Sequence, residues 1–176
     1  MQIKFEYDSR RATQAILWLL HKHGGALDKL KLVKLIFFVD RLHLSLFGRP
    51  TVGGRYVAMR FGPAPSELYD AIKEAGSSAS DPYLTKGNQV IAQSPVNEDL
   101  LSESDIEALE KTDGEFGHLD SFHLSQITHR LKVYMKNRPA TNTSTPIPYE
   151  DFFLDLPDAS ILDLIREDQE ARDALE

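Results

Sequence analysis

The segment from Asp28 to Phe47 constrains this chain more than any other, because it is apolar around most of a helix's circumference. Leu32, Leu35, Ile36, Val39, Leu42 and Leu46 recur at i, i+3, i+4 and i+7 spacing, which places them along one helical face. Leu30, Val33 and Phe37 form a second stripe beside it. A surface helix needs one such stripe, whereas a helix with two must be covered on more than one side. The spacing therefore predicts a buried central helix, with Leu35, Ile36, Val39 and Leu42 as core rather than contact residues. Lys31, Lys34, Asp40 and Arg41 interrupt the segment, and its longest unbroken apolar run is Leu35 to Val39. That falls far short of the about 20 residues a bilayer span requires, so no membrane association is expected.

The rest of the chain must cover that helix, and 176 residues suffice for one domain with one core. Asp8 or Ser9 can cap a first helix carrying Ala12, Ile16, Leu19 and Leu20, which Gly24-Gly25 ends. After Gly48-Arg-Pro-Thr-Val-Gly-Gly54, residues Arg55 to Phe61 alternate, predicting a strand with Val57, Met59 and Phe61 inward and Tyr56, Ala58 and Arg60 outward. Gly62-Pro63 turns the chain, and Pro65 suits the first turn of a short helix from Ser66 to Ala75. Tyr83 to Ala92 reads as a hairpin around Gly87-Asn88. Ser102 and Asp105 have capping-box spacing, and Asp120 or Ser121 opens a helix carrying Leu124, Ile127 and His129. Asp158 caps a last helix with Ile161, Leu164, Ile165 and Leu175. The expected fold is mainly α, a compact helical domain with a buried central helix and one or two small β-hairpins.

Charge is segregated along this framework. Residues 1–62 hold 11 Lys and Arg against 4 Asp and Glu, a balance of +7, while residues 63–149 balance at −6 and 150–176 at −8. The basic third either neutralises the acidic remainder on folding or forms a docking face. An acidic total disfavours nucleic acid as a partner, although Arg10, Arg11, Lys29, Lys31 and Lys34 could contact phosphates.

Reaction chemistry finds little support. The chain has no cysteine, which excludes disulfides, thiolate metal sites and a cysteine nucleophile, and a reducing cytosol fits best. The start, Met-Gln-Ile-Lys-Phe-Glu-Tyr, lacks the layout of a signal peptide, so a cytoplasmic location is expected. The glycines at 48, 53 and 54 lack the Lys-Ser/Thr ending of a phosphate loop and follow a helix where a strand is needed. His21 and His23 flank a helix end and would need two further ligands to hold a metal. Ser125 and His129 lie one helical turn apart with no third group placed to orient the imidazole. No catalytic residue, cofactor or metal site emerges, and the expectation is a chain that is not an enzyme.

One block is nonetheless distinctive: Lys31-Leu32-Val-Lys34-Leu35, then Asp40, His43 and Gly48-Arg-Pro50, then Ala58-Met-Arg-Phe61-Gly62-Pro63, then Leu68-Tyr69. It resembles the SocA-like Panacea antitoxin domain, whose pattern of Lys-Leu-x-Lys-Leu helix, trailing His, Gly-Arg-Pro-like turn, Ala-x-x-Tyr/Phe-Gly-Pro strand end and Leu-Tyr helix is met in order. The likeness extends more weakly to Leu124-Ser-Gln-Ile-Thr-His129 and Ile147-Pro-Tyr-Glu-Asp-Phe152, while Leu131 and Tyr134 follow where many relatives place a Trp. The resemblance implies a domain over residues 1–157 followed by an acidic C-terminal helix over 158–176. It also implies an antitoxin, often of phage or mobile-element origin, that binds and neutralises a cognate protein toxin as a chaperone or proteolytic adaptor, with the ClpXP protease as a second partner. A nucleic-acid-binding regulator built on the basic third is the alternative. The surface expected to meet the partner includes Arg55, Tyr56, Arg60 and Tyr69, with His129 next to be considered, because exposed Tyr and Arg dominate interface energetics.

Overall fold

A computed structural model describes residues 2–175. Met1 and Glu176, the outermost positions of the expected domain and C-terminal helix, lie outside the described residues. The first helix, α1 (Ser9–Lys22), begins where the Asp8 carboxylate accepts the Arg11 N–H at 2.9 Å. A three-residue strand, β1 (Ala26–Asp28), leads into α2 (Lys29–Phe47), where Asp28 caps by accepting the Lys31 N–H. Gly48 ends α2 at φ +76°, a left-handed conformation suited to glycine, and its N–H donates to the Leu44 carbonyl. Both apolar stripes are used: Leu32, Val33, Leu35, Ile36, Phe37 and Val39 are all buried. Covering them are α1, α4 (Glu103–Phe116), α5 (Ser121–His129) and strand β3 (Gly62–Pro65). Leu42 is half-buried and Leu46 is exposed, so the stripe leaves the core in the last turn.

The fold is mainly α, with two three-stranded antiparallel sheets among the described residues. The expected hairpin is β4 (Tyr83–Lys86) and β5 (Gln89–Ala92), and β1 joins it, pairing Leu27 with Val90. The second sheet has β2 (Tyr56–Met59) at its centre, between β3 and β6 (Thr145–Ile147). Gly62-Pro63, read in the sequence as a turn, is the start of β3, and Pro65 stands just before α3 (Ser66–Glu74) rather than inside it. Prolines lie on both outer strands, at 63, 65 and 146, where a missing N–H is tolerated and further strand pairing is discouraged.

The inward and outward faces of β2 are the reverse of those expected. Tyr56 and Ala58 are buried, Val57 and Met59 are half-buried, and Phe61 is 55 % exposed. Hydrophobicity alone favours Val57, Met59 and Phe61 as the inner set, but α2 places the Asp40 carboxylate beneath the strand. The Tyr56 hydroxyl donates to it at 2.8 Å. Only one strand parity supplies that hydroxyl, and the aromatic ring then packs among Phe37, Tyr149 and Phe152.

After α5 come α6 (Lys132–Asn137), β6 and a 3₁₀ helix over Tyr149–Asp155. The last helix, α7 (Ser160–Asp173), has Ala159 rather than the expected Asp158 at its cap position, and the Asp158 carboxylate accepts the Ser160 N–H at 2.8 Å from one residue further out. It returns to the body through buried Ile165 and through Gln169, whose side chain bonds both backbone groups of Lys4, while Leu164 and Leu175 point to solvent. No described helix is long and apolar enough to cross a membrane.

Candidate functional site

Lys31, Lys34, Asp40 and His43 on α2 each hold a different loop, whereas the buried Nε of Arg41 has no hydrogen-bond partner among the described residues. Lys31 Nζ donates to the Gly117 carbonyl at 2.6 Å, beyond the end of α4. The Asp40 carboxylate accepts from the Val52 and Gly53 N–H groups at 2.7 and 3.2 Å, in addition to Tyr56. Burial lifts Asp40 to about 6, against the pull of those three donors. His43 Nδ1 lies 2.6 Å from the Arg49 carbonyl, which requires the ring hydrogen there, and Nε2 lies 2.9 Å from Ser104 Oγ at the start of α4. Burial holds His43 below its ordinary value, so the neutral tautomer fits both contacts. Asp105 receives Arg49 Nη1 at 3.1 Å, and although burial pushes its carboxyl upward, hydrogen bonds from Ser102 and Arg49 bring it below the usual range. These motif residues therefore build the scaffold, as do Leu32, Leu35, Ala58 and Leu68, all fully buried.

Lys34 differs from the others. Its side chain is 1 % exposed, its Nζ donates to the Pro63 carbonyl at 2.7 Å, and burial lowers its pKa to about 7. The turn it supports is held from the far side as well: Ser125 Oγ donates to the Phe61 carbonyl at 2.9 Å, and the Tyr134 hydroxyl to the Met59 carbonyl at 2.8 Å. Gly62 sits between these supports at φ +113°, where an added Cβ would lie 2.5 Å from Thr128 Oγ1 and 3.0 Å from Lys34 Cε. The consequence is a rigid turn presenting an exposed Phe61, with the Arg60 guanidinium 5.4 Å from its ring. Phe122 and Met135, on the helices that hold the turn, are also exposed. Beside the turn opens a cavity of about 270 Å³, walled by Leu30, Val33, Lys34, Met59, Phe61 and Tyr69.

Of the residues expected to meet a partner, Arg60 and Tyr69 share this cavity. His129 stands next to it, its ring stacked 4.6 Å from Tyr134 and its Nε2 buried without a hydrogen-bond partner. Burial, then the charges of Lys34 and Arg138, hold His129 below its ordinary value. Ser125 bonds Phe61 rather than His129. Arg55 lies at the opposite end of β2, where Glu67 accepts from both its backbone N–H and its Nε at 2.8 Å. It borders a separate cleft of about 650 Å³ between residues 2–7 and the β2–β6 edge. Tyr56 is buried, and its expected place on the surface is corrected by its bond to Asp40. The sequence reading missed Phe61 as an exposed group and Leu30, Asn142 and Thr143 as lining residues. The two rim residues lie in a polar loop with no pattern to mark them.

The cations considered for phosphate contact are partly committed elsewhere: Arg11 pairs with Asp8 at 2.7 Å, Lys31 bonds Gly117 and Lys34 is buried. Among the described residues, no group of three or more His, Asp or Glu could hold a metal ion.

No curated protein and no solved structure matches the chain. The family model described as "Antitoxin SocA-like, Panacea domain" matches residues 32–133, a span from the second turn of α2 through the start of α6 and including the cavity's main walls. With more than half its length matched, the chain belongs to the SocA-like Panacea antitoxin domain family.

Proposed function

We propose that this chain neutralises a protein toxin by binding it directly through the face formed by the β2–β3 turn, with Phe61, Arg60 and Tyr69 as its centre. The family match over residues 32–133 carries the reading, since it implies an antitoxin and hence a toxin partner. The choice of face rests on Phe61, a large apolar side chain left 55 % exposed on a turn fixed from several sides. A rigid apolar anchor loses little conformational freedom when covered, which suits a binding hot spot.

The test is co-expression with the product of the adjacent gene. That product alone should arrest growth, this chain should restore it, and the two should co-purify at moderate salt. A harmless neighbour, or two products that never associate, would sink the reading. Phe61→Ser should keep the fold and weaken the complex; unchanged affinity would move the interface to the 650 Å³ cleft or to α7. Toxin half-life in cells with and without ClpXP separates blocking, which leaves toxin abundance unchanged, from adaptor-mediated delivery, which lowers it.

A further inference from the structure

Lys34 is a solvent-inaccessible amine with too few partners. An ammonium carries three N–H donors, and the Pro63 carbonyl takes one. Buried charges are ordinarily paired, because leaving one without a counter-charge is costly. No salt bridge to a carboxylate among the described residues offsets the burial of this amine, and burial lowers its pKa to about 7. The adjoining cavity repeats the asymmetry. Although the chain has 27 Asp and Glu against 20 Lys and Arg, the charged side chains that line it among the described residues are Lys34 and Arg60. The remaining side-chain wall is chiefly apolar: Leu30, Val33, Met59, Phe61 and Tyr69. His129 Nε2, buried with no hydrogen-bond partner among the described residues, stands nearby.

Building on the antitoxin reading above, we propose that this cavity is a socket for an acidic side chain of the toxin, an Asp or Glu carried in an apolar segment, whose carboxylate pairs with Lys34. The side-chain stem and its neighbours lie against Phe61, Met59 and Tyr69, and Arg60 closes the mouth. A phosphodiester fits less well, since apolar walls would strip a strongly hydrated anion and offer little in exchange. Arrival of a carboxylate favours the ammonium form of Lys34. The charged groups facing Lys34 from the neighbouring elements, Arg60, His129 and Arg138, are basic, and α3 contributes the Tyr69 phenol with Lys73 Nζ 4.7 Å from its ring.

The experiment uses the intact chain with ¹³C-labelled lysine, following the Lys34 Cε resonance against pH. Addition of 4-methylpentanoate should raise the Lys34 midpoint by about one pH unit or more and shift the Phe61 and Tyr69 rings, saturably. The uncharged 4-methylpentanamide should leave the midpoint in place. Lys34→Met should abolish the carboxylate's effect on the rings and lower toxin affinity at least about tenfold, the scale expected when one partner of a buried charge pair is removed. Should Lys34→Met fold poorly, the Lys34 midpoint of the unaltered chain with and without the carboxylate still decides the proposal, and Phe61→Ser, on the exposed rim, should blunt that midpoint shift. A Lys34 midpoint unmoved by the carboxylate, a midpoint moved only by a single-stranded oligonucleotide, or wild-type toxin affinity in folded Lys34→Met overturns the proposal. If the unaltered chain binds no toxin, the antitoxin reading fails instead, and the carboxylate titration reports on the socket separately.

Discussion

Tyr56→Phe removes one hydroxyl and leaves the ring in place. In the structure that hydroxyl donates to Asp40 Oδ2 at 2.8 Å, with Tyr56 1 % exposed and Asp40 0 % exposed. A hydrogen bond to a neutral acceptor contributes about 0.5–1.5 kcal/mol and one to a charged acceptor about 1.5–3 kcal/mol, so the effect depends on the protonation of Asp40. Burial raises that carboxyl from 3.8 to about 6. Because the folded-state value is raised, the stability linked to this group is fully present below 3.8 and is lost as pH rises through about 6. The Tyr56 hydroxyl moderates that loss by stabilising the carboxylate, and removing it pushes Asp40 higher still. Urea titration should therefore show Tyr56→Phe destabilised by about 0.5–1.5 kcal/mol at pH 5, where Asp40 is mainly protonated, and by about 1.5–3 kcal/mol at pH 8. The difference of about 1 kcal/mol corresponds to an upward movement of somewhat under one pH unit in the Asp40 midpoint, which carboxyl NMR would follow directly. Equal losses at the two pH values would refute the ion–hydroxyl account. Unchanged stability with lost toxin binding would return Tyr56 to the interface.

Four other substitutions test the scaffold. Lys34→Met should lose stability relative to the wild type as pH rises from 7 to 10. The lowered Lys34 value contributes stability that is present above 10.5 and lost as pH falls through about 7, with a ceiling of about 5 kcal/mol; a pH-independent difference would contradict this. Gly62→Ala should cost about 1–3 kcal/mol from backbone strain at φ +113°, plus the displacement of Thr128 and Lys34, and a urea midpoint equal to wild type would show that the turn is not held as described. Leu35→Ala and Ile36→Ala, both fully buried, should each cost about 2–5 kcal/mol in the same titration, and a variant as stable as wild type yet inactive would place the residue in an interface.

Most of the helices were legible because their signals are local, but α6 and the 3₁₀ helix over Tyr149–Asp155, which carry no such signal, were not. Asp8, Asp28, Ser102 with Asp105, and Asp120 each cap a helix using groups within three residues, and periodicity marks α2 over its full length. Gly87-Asn88 marked the β4–β5 hairpin equally locally. Strands β1 and β6 were not legible, and β3 reads wrongly as a turn because of its glycine and prolines. Ala26–Asp28 and Thr145–Ile147 are too short to alternate visibly, and their partners lie far away in sequence at Gln89–Ile91 and Tyr56–Ala58. Alternation marked two faces for β2 without saying which was inside. Hydropathy chose wrongly because it ranks Tyr below Val and cannot register an acceptor 16 residues earlier on a separate helix. Lys34 follows the same logic. On an apolar helix it reads as a group that must reach water, yet the Pro63 carbonyl and the cavity keep it inside.

The bonds from α2 to its surrounding loops also govern how the molecule can open. Val52 and Gly53 belong to no helix or strand, and amides in such places normally exchange with solvent through small local fluctuations. Here both are clamped by a carboxylate embedded in the central helix and itself held by the Tyr56 hydroxyl, so releasing them means pulling the loop off a fixed acceptor. Their deuterium uptake should be nearly as slow as that of α2 itself, whereas the Gly76–Asp81 loop should label within the dead time. Chain-length changes should divide in the same way. Added residues would be absorbed at 77–80, while even one inserted between Gly48 and Arg55 would pull a pinned amide off its acceptor and weaken the whole domain.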